Sequence, residues 1–140
     1  MKLHNFPSRL AAGAFILNAG LGKLSAEPET AEGLHGMATG TYPFLGSIPA
    51  SRFVRILAIS EIALGSALLV PFVPDRKAGF ALTAFAASLL GLYLRTPGMR
   101  EEGTIRPTQQ GTPIAKDVWL LGTGLSLLLD RARPRSSEAG

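Results

Sequence analysis

The stretch Phe53-Val-Arg-Ile-Leu-Ala-Ile-Ser-Glu-Ile-Ala-Leu-Gly-Ser-Ala-Leu-Leu-Val-Pro-Phe-Val73 decides the fold. About twenty helical residues at 1.5 Å each span roughly 30 Å, the thickness of a bilayer's hydrocarbon core. One carboxylate, Glu61, sits near the middle of this apolar run. A charge at that depth costs on the order of 3 kcal/mol by insertion scales. Such a residue is expected to face a bundle interior, find a partner and mark a working site.

Working outward, the same grammar repeats. Helices are predicted over about 8–24, 51–70, 76–94 and 113–131, with Pro71, Pro74, Pro97 and Pro134 as stops. Thr112-Pro113 reads as an N-cap followed by proline at the first helical position. The third segment, Ala78 to Leu94, has only Thr and Ser as polar residues along its body, so it offers no face for water. The expected fold is all-α: a four-transmembrane-helix bundle, one integral membrane domain over 1–132 with a disordered tail over 133–140. Between the first two helices, Ala31, Leu34, Met37 and Ala38 are spaced for a short amphipathic helix, which Gly33 and Gly36 weaken. The breaker-rich Tyr42 to Pro49 follows, so this region is read as amphipathic or re-entrant. The segment from Arg95 to Gly111 reads as a polar, solvated loop.

Composition agrees. Of the 140 residues 46% are hydrophobic and 17% charged, where a soluble domain carries about a quarter charged. The net charge of +4 comes from basic residues flanking apolar segments, without the aromatic-interleaved patch that binds nucleic acid. No cysteine is present, which excludes disulfides, thiol catalysis and Cys-ligated metals as properties of this chain. His4 and His35 lie outside the apolar runs, His35 reading as a solvated loop residue, and no metal-ligating set is visible. The first helix is interrupted by Asn18, Gly20, Gly22 and Lys23, so it reads as an uncleaved span rather than a signal peptide. Lys2, Arg9, Arg76, Lys77, Arg131, Arg133 and Arg135 fall on the side of the termini. Arg52, Arg55, Arg95, Arg100 and Arg106 fall on the other. The bias favours a plasma-membrane protein with both termini cytoplasmic.

This topology places Asn18, Lys23, Glu61, Lys116 and Asp117 in one half of the bilayer. Ala58, Gly65 and Leu68 share the face of Glu61, which should pack inward. Asp117 shares a face with Leu121 and Gly124, whereas Trp119 points nearly opposite, toward the interface. Gly79, Thr83, Ala87 and Gly91 form a small-residue stripe on the third helix. The polar cluster has two readings: structural ion pairs that hold helix register, or a titratable or ligand-binding site at Glu61. The residues alone assign no catalytic role.

Arg9-Leu with Ala19-Gly-Leu-Gly-Lys-Leu24, Ser60-Glu-Ile-Ala-Leu-Gly65, and Ala115-Lys-Asp-Val-Trp-Leu-Leu-Gly122 together resemble the DoxX-like family of small bacterial membrane proteins, which are four-helix bundles. The resemblance implies an accessory subunit or partner of a quinone- or sulfur-linked membrane oxidoreductase, without a redox centre of its own. It carries over Lys23, Glu61, Lys116 and Asp117 as site positions. Quinone is the one cofactor it brings into view, and the implied partners are lipid and a membrane or soluble redox protein. The alternatives are a non-enzymatic membrane scaffold or chaperone, whose small-residue stripes and 25–50 segment would take partner helices or, in a homo-oligomer, a second copy, and a small proton-coupled carrier using Glu61.

Overall fold

Prolines punctuate this chain, and most of its helices begin at one. A computed structural model describes residues 1–130. After a 3-10 turn over Leu3–Asn5 come α1 (Phe6–Leu24), α2 (Pro28–Thr41), a 3-10 segment (Pro43–Ser47), α3 (Ala50–Leu69), α4 (Asp75–Arg95), α5 (Thr112–Ala115) and α6 (Val118–Leu129). Proline stands in the first turn of α1, α2 and α5, where its missing N–H has no helical acceptor to lose. Pro49 and Pro74 are the N-cap residues of α3 and α4. The fold is all-helical, with no strand among the described residues.

The first three expected spans agree with α1, α3 and α4 to within two residues. The fourth does not run unbroken. Lys116 and Asp117 separate α5 from α6 in a tightened turn, where Asp117 N–H reaches back to Ile114 and Trp119 N–H to Lys116. Thr112 does not cap this element; its hydroxyl donates to the Thr108 carbonyl instead. The expected end at Arg131 and the disordered tail lie outside the described residues.

Only α4 is long and apolar enough to cross a membrane by length and composition alone among the described residues. The expected four equivalent spans are thereby reduced to one on this criterion, for physical reasons. Arg9, Asn18 and Lys23 interrupt α1, and Arg52, Arg55 and Glu61 interrupt α3. The twelve residues of α6 reach only about 18 Å.

Packing is organised by two tight helix pairs, α1 with α3 and α4 with α6. At the first crossing a Cβ on Gly65 would lie 2.6 Å from Leu17 N and 2.8 Å from Gly13 O, so only glycine permits this approach. At the second, a Cβ on Gly79 would stand 2.5 Å from Leu128 N. Ala12 and Ile16, Leu64 and Leu68, Ala78 and Leu82, and Leu127 join into one core from all four helices. The small-residue stripe of α4 divides: Gly79 and Thr83 meet α6, Gly91 meets the Tyr42 hydroxyl, and Ala87 faces outward.

The segment between α1 and α3 is a helix, and the expected apolar face is the one it turns inward, through Ala31 and Ala38. It packs on α3 and α4. His35 is not a solvated loop residue. Its Nε2 lies 2.9 Å from the Leu45 carbonyl and its ring tilts against Phe53, so it ties α2 to the 3-10 segment. Between α4 and α5 the chain is largely exposed, as its composition predicts, and is held by a bridge between Arg100 and Pro107.

Candidate functional site

The Glu61 side chain is carried by the inward face of α3, together with buried Ala58, Gly65 and Leu68. That face was legible because those residues recur at helical spacing. Glu61 itself is 5% exposed. Gly20 of α1 packs against it, for a Cβ there would lie 2.9 Å from Glu61 Cβ. This close crossing delivers Lys23, three residues further along α1, to the carboxylate. Lys23 Nζ lies 3.0 Å from Glu61 Oε2. The approach is off the angle of a hydrogen bond, so Oε2 is held by charge and accepts no hydrogen bond.

Asp117 joins from the tightened turn between α5 and α6. It is half-buried and lies within Coulomb range of both Glu61 and Lys23. That turn also changes the helical phase. Asp117 and Trp119, expected on nearly opposite faces, line the same groove between α1 and α5–α6. The groove holds about 370 Å³ and is walled by Ser8, Ala11 and Phe15 on one side and Lys116, Asp117 and Trp119 on the other. Lys23 meanwhile lines a separate cleft of about 380 Å³ at the end of α1, with Glu32, Ser51 and Arg55.

Two of the five expected members stand apart. Asn18 is exposed, and Lys116 is exposed with no ion pair within 4.0 Å among the described residues. For Asn18 the reason is angular: it lies two residues before Gly20, on a side of α1 turned away from α3. Of the five, Lys23 and Glu61 are in contact, and Asp117 is half-buried beyond them. The energetics of the pair are open to a double-mutant cycle. Lys23→Met and Glu61→Gln should each lower unfolding stability, and together cost less than their sum, by about 0.5–3 kcal/mol. Additive losses would mean that the pair contributes no coupling.

A second polar centre was not anticipated. Arg9 reads in the sequence as a flanking charge that sets orientation, yet it is fully buried. Its Nη1 is 2.7 Å from Asp75 Oδ1. The guanidinium also donates to the carbonyls of Ala67, Leu68, Val70 and Val73. Those oxygens belong to the last turn of α3 and the bend beyond it, where helical partners run out. One planar five-donor group therefore caps a helix and neutralises a carboxylate together. Arg9 is accordingly no free charge for setting orientation.

Asn5 Nδ2 extends this centre by donating to Asp75 and to Asp130, one residue past α6. Hydrogen bonds from Lys2 and Asn5 bring the Asp130 carboxyl down to about 2, so it is ionised at neutral pH. The one sequence signal was that Arg9 and Asp75 carry opposite charges at helix starts on the same side of the bundle. Every donor of Arg9 is engaged, so this centre holds the fold and offers nothing to a ligand. Comparison of the chain with family models, with curated proteins and with solved structures gives no match.

Proposed function

We propose that this chain is a multi-pass integral membrane protein of the DoxX-like kind, an accessory subunit or partner of a membrane oxidoreductase system with no redox centre of its own. The observation that carries the membrane reading is where the large apolar side chains point. Phe15 on α1, Ile59 on α3, Phe80 on α4 and Trp119 on α6 are each more than half exposed. A soluble monomer rarely displays apolar surface on this scale, because each such side chain loses roughly 1.5–3 kcal/mol by staying in water. Lipid would cover them at no such cost. Arg9 and Lys23 do not oppose this, since each meets a carboxylate inside the bundle.

The accessory role follows from the resemblance of the helix motifs, and from a sequence with no thiol to relay electrons or sulfur. The groove between α1 and α6 supports the quinone reading by its lining: Phe15 and Trp119 offer aromatic surface, and Lys116 would be the donor for a quinone carbonyl. A bound quinone would supply the two-electron, two-proton capacity that the polypeptide lacks. Retention in membranes through an alkaline carbonate wash, and co-purification in mild detergent with quinone and a redox subunit, is the expected result. A protein that is monodisperse without detergent would refute the membrane reading. A stable dimer free of quinone and redox chains would instead favour the scaffold.

A further inference from the structure

The cleft at the end of α1 takes no part in the role proposed above. It holds about 380 Å³, inside the roughly 300–1,000 Å³ of small-ligand sites, and lies where α1 ends and α2 and α3 begin. Each of these helices puts one charged residue in its wall: Lys23 from α1, Glu32 from α2 and Arg55 from α3. The Lys23 side chain is three-quarters buried. Its ammonium meets Glu61 without forming a hydrogen bond, so its three N–H donors are unengaged among the described residues. Glu32 and Arg55 are exposed, and neither forms an ion pair within 4.0 Å among the described residues. Neither α2 nor α3 has a side-chain cap, so their first-turn N–H groups add partial positive charge at this end.

The two signs select the ligand. A simple anion would suit Lys23 and Arg55 but be opposed by Glu32, and a simple cation would meet the reverse. A molecule carrying both charges a few bonds apart engages all three. Its positive member must be a primary ammonium, whose N–H groups can donate to the Glu32 carboxylate. A quaternary ammonium has no N–H and is held by aromatic faces, and no aromatic side chain is among the described residues that line this cleft. Its negative member is a phosphate, which suits both the point charge of Lys23 and the planar fork of Arg55.

Position adds the source. In a membrane-embedded chain the end of α1 at Leu24 and the start of α3 at Ala50 lie at headgroup level. Leu24, apolar and 55% exposed, carries the cleft wall outward toward acyl chains. We infer that this cleft seats the headgroup of a phosphatidylethanolamine, its phosphate between Lys23 and Arg55 and its ammonium on Glu32. The lipid as source rests on the membrane reading; the charge pattern does not.

The test reconstitutes the full chain in vesicles of equal parts phosphatidylethanolamine, phosphatidylcholine and phosphatidylglycerol with identical acyl chains. Native mass spectrometry then identifies the lipid retained after extraction into mild detergent. Phosphatidylethanolamine is expected to exceed either competitor several-fold. Glu32→Gln should abolish its preference over phosphatidylglycerol, and Arg55→Gln should lower its retention several-fold. Both side chains are exposed, so neither change disturbs the core. Equal retention of the three lipids, a preference for phosphatidylglycerol, or a preference unchanged in both variants overturns the inference. Soluble O-phosphoethanolamine should displace the lipid only at millimolar concentration; displacement at micromolar concentration would overturn the lipid as occupant in favour of the free zwitterion. A chain that does not enter vesicles overturns the membrane reading, and the lipid with it. Calorimetric titration of that chain with O-phosphoethanolamine then decides the charge pattern alone: absence of binding overturns it, and binding lost in Glu32→Gln supports it.

Discussion

Arg9→Met is expected to lower unfolding stability by about 4 kcal/mol, the cost typical of removing one partner from a buried ion pair. The substitution deletes five donated bonds: one to Asp75 and one each to the carbonyls of Ala67, Leu68, Val70 and Val73. Asp75 keeps the Lys2 N–H and the Asn5 amide, which softens the loss on its side. The carbonyls are less fortunate, since they terminate α3 and most have no other partner in reach. Arg9→Lys should recover less than half of the deficit. An ammonium has three donors on one point and cannot reproduce a fork that reaches five acceptors. Denaturant unfolding measures both. A change of less than about 1 kcal/mol in Arg9→Met, within the range of an ordinary hydrogen bond, would show that this network is incidental.

The second large effect is expected at Gly65. A Cβ there would stand 2.6 Å from the backbone nitrogen of Leu17, and backbone cannot swing aside as a side chain can. Gly65→Val should therefore force α1 and α3 apart and cost about 3 kcal/mol, the upper end for overpacking. The displacement reaches the site as well. Glu61 lies one turn before Gly65, and Lys23 rides on the helix that must move. Gly22→Ala is the control, because nothing lies within 4 Å of its Cβ direction. On helix propensity alone it should gain up to about 1 kcal/mol. Equal effects at the two glycines would mean that the α1–α3 crossing is looser than its geometry.

Both expectations show how unevenly the sequence discloses this molecule. Helix positions were readable because proline acts locally: it fixes its own backbone and removes one donor wherever it stands. The inward face of α3 was readable because Ala58, Glu61, Gly65 and Leu68 recur at the helical period. Pairing of Lys23 with Glu61 was one of several open combinations, and only the Gly20 contact, across a gap of 41 residues, selects it. The Arg9 centre lay further out of reach. A lone arginine near the start of a helix looks alike whether it faces headgroups or carbonyls, and its acceptors are backbone atoms, which carry no sequence signature. The Asp117–Trp119 relation failed for another reason. Extrapolating one ideal helix through Lys116 assumed a phase that two tightened hydrogen bonds alter.

The burial of Arg9 also sets a timetable for biosynthesis. Its five acceptors lie 58 to 66 residues downstream. A ribosome adding about 5–20 residues per second needs roughly 3–13 s to make them. Throughout that interval α1 carries a guanidinium whose native acceptors have not yet been made. The first helix therefore cannot take its native seat until the bend before α4 has emerged. The seat of the first helix is thus completed only once the end of α3 and the bend after it exist.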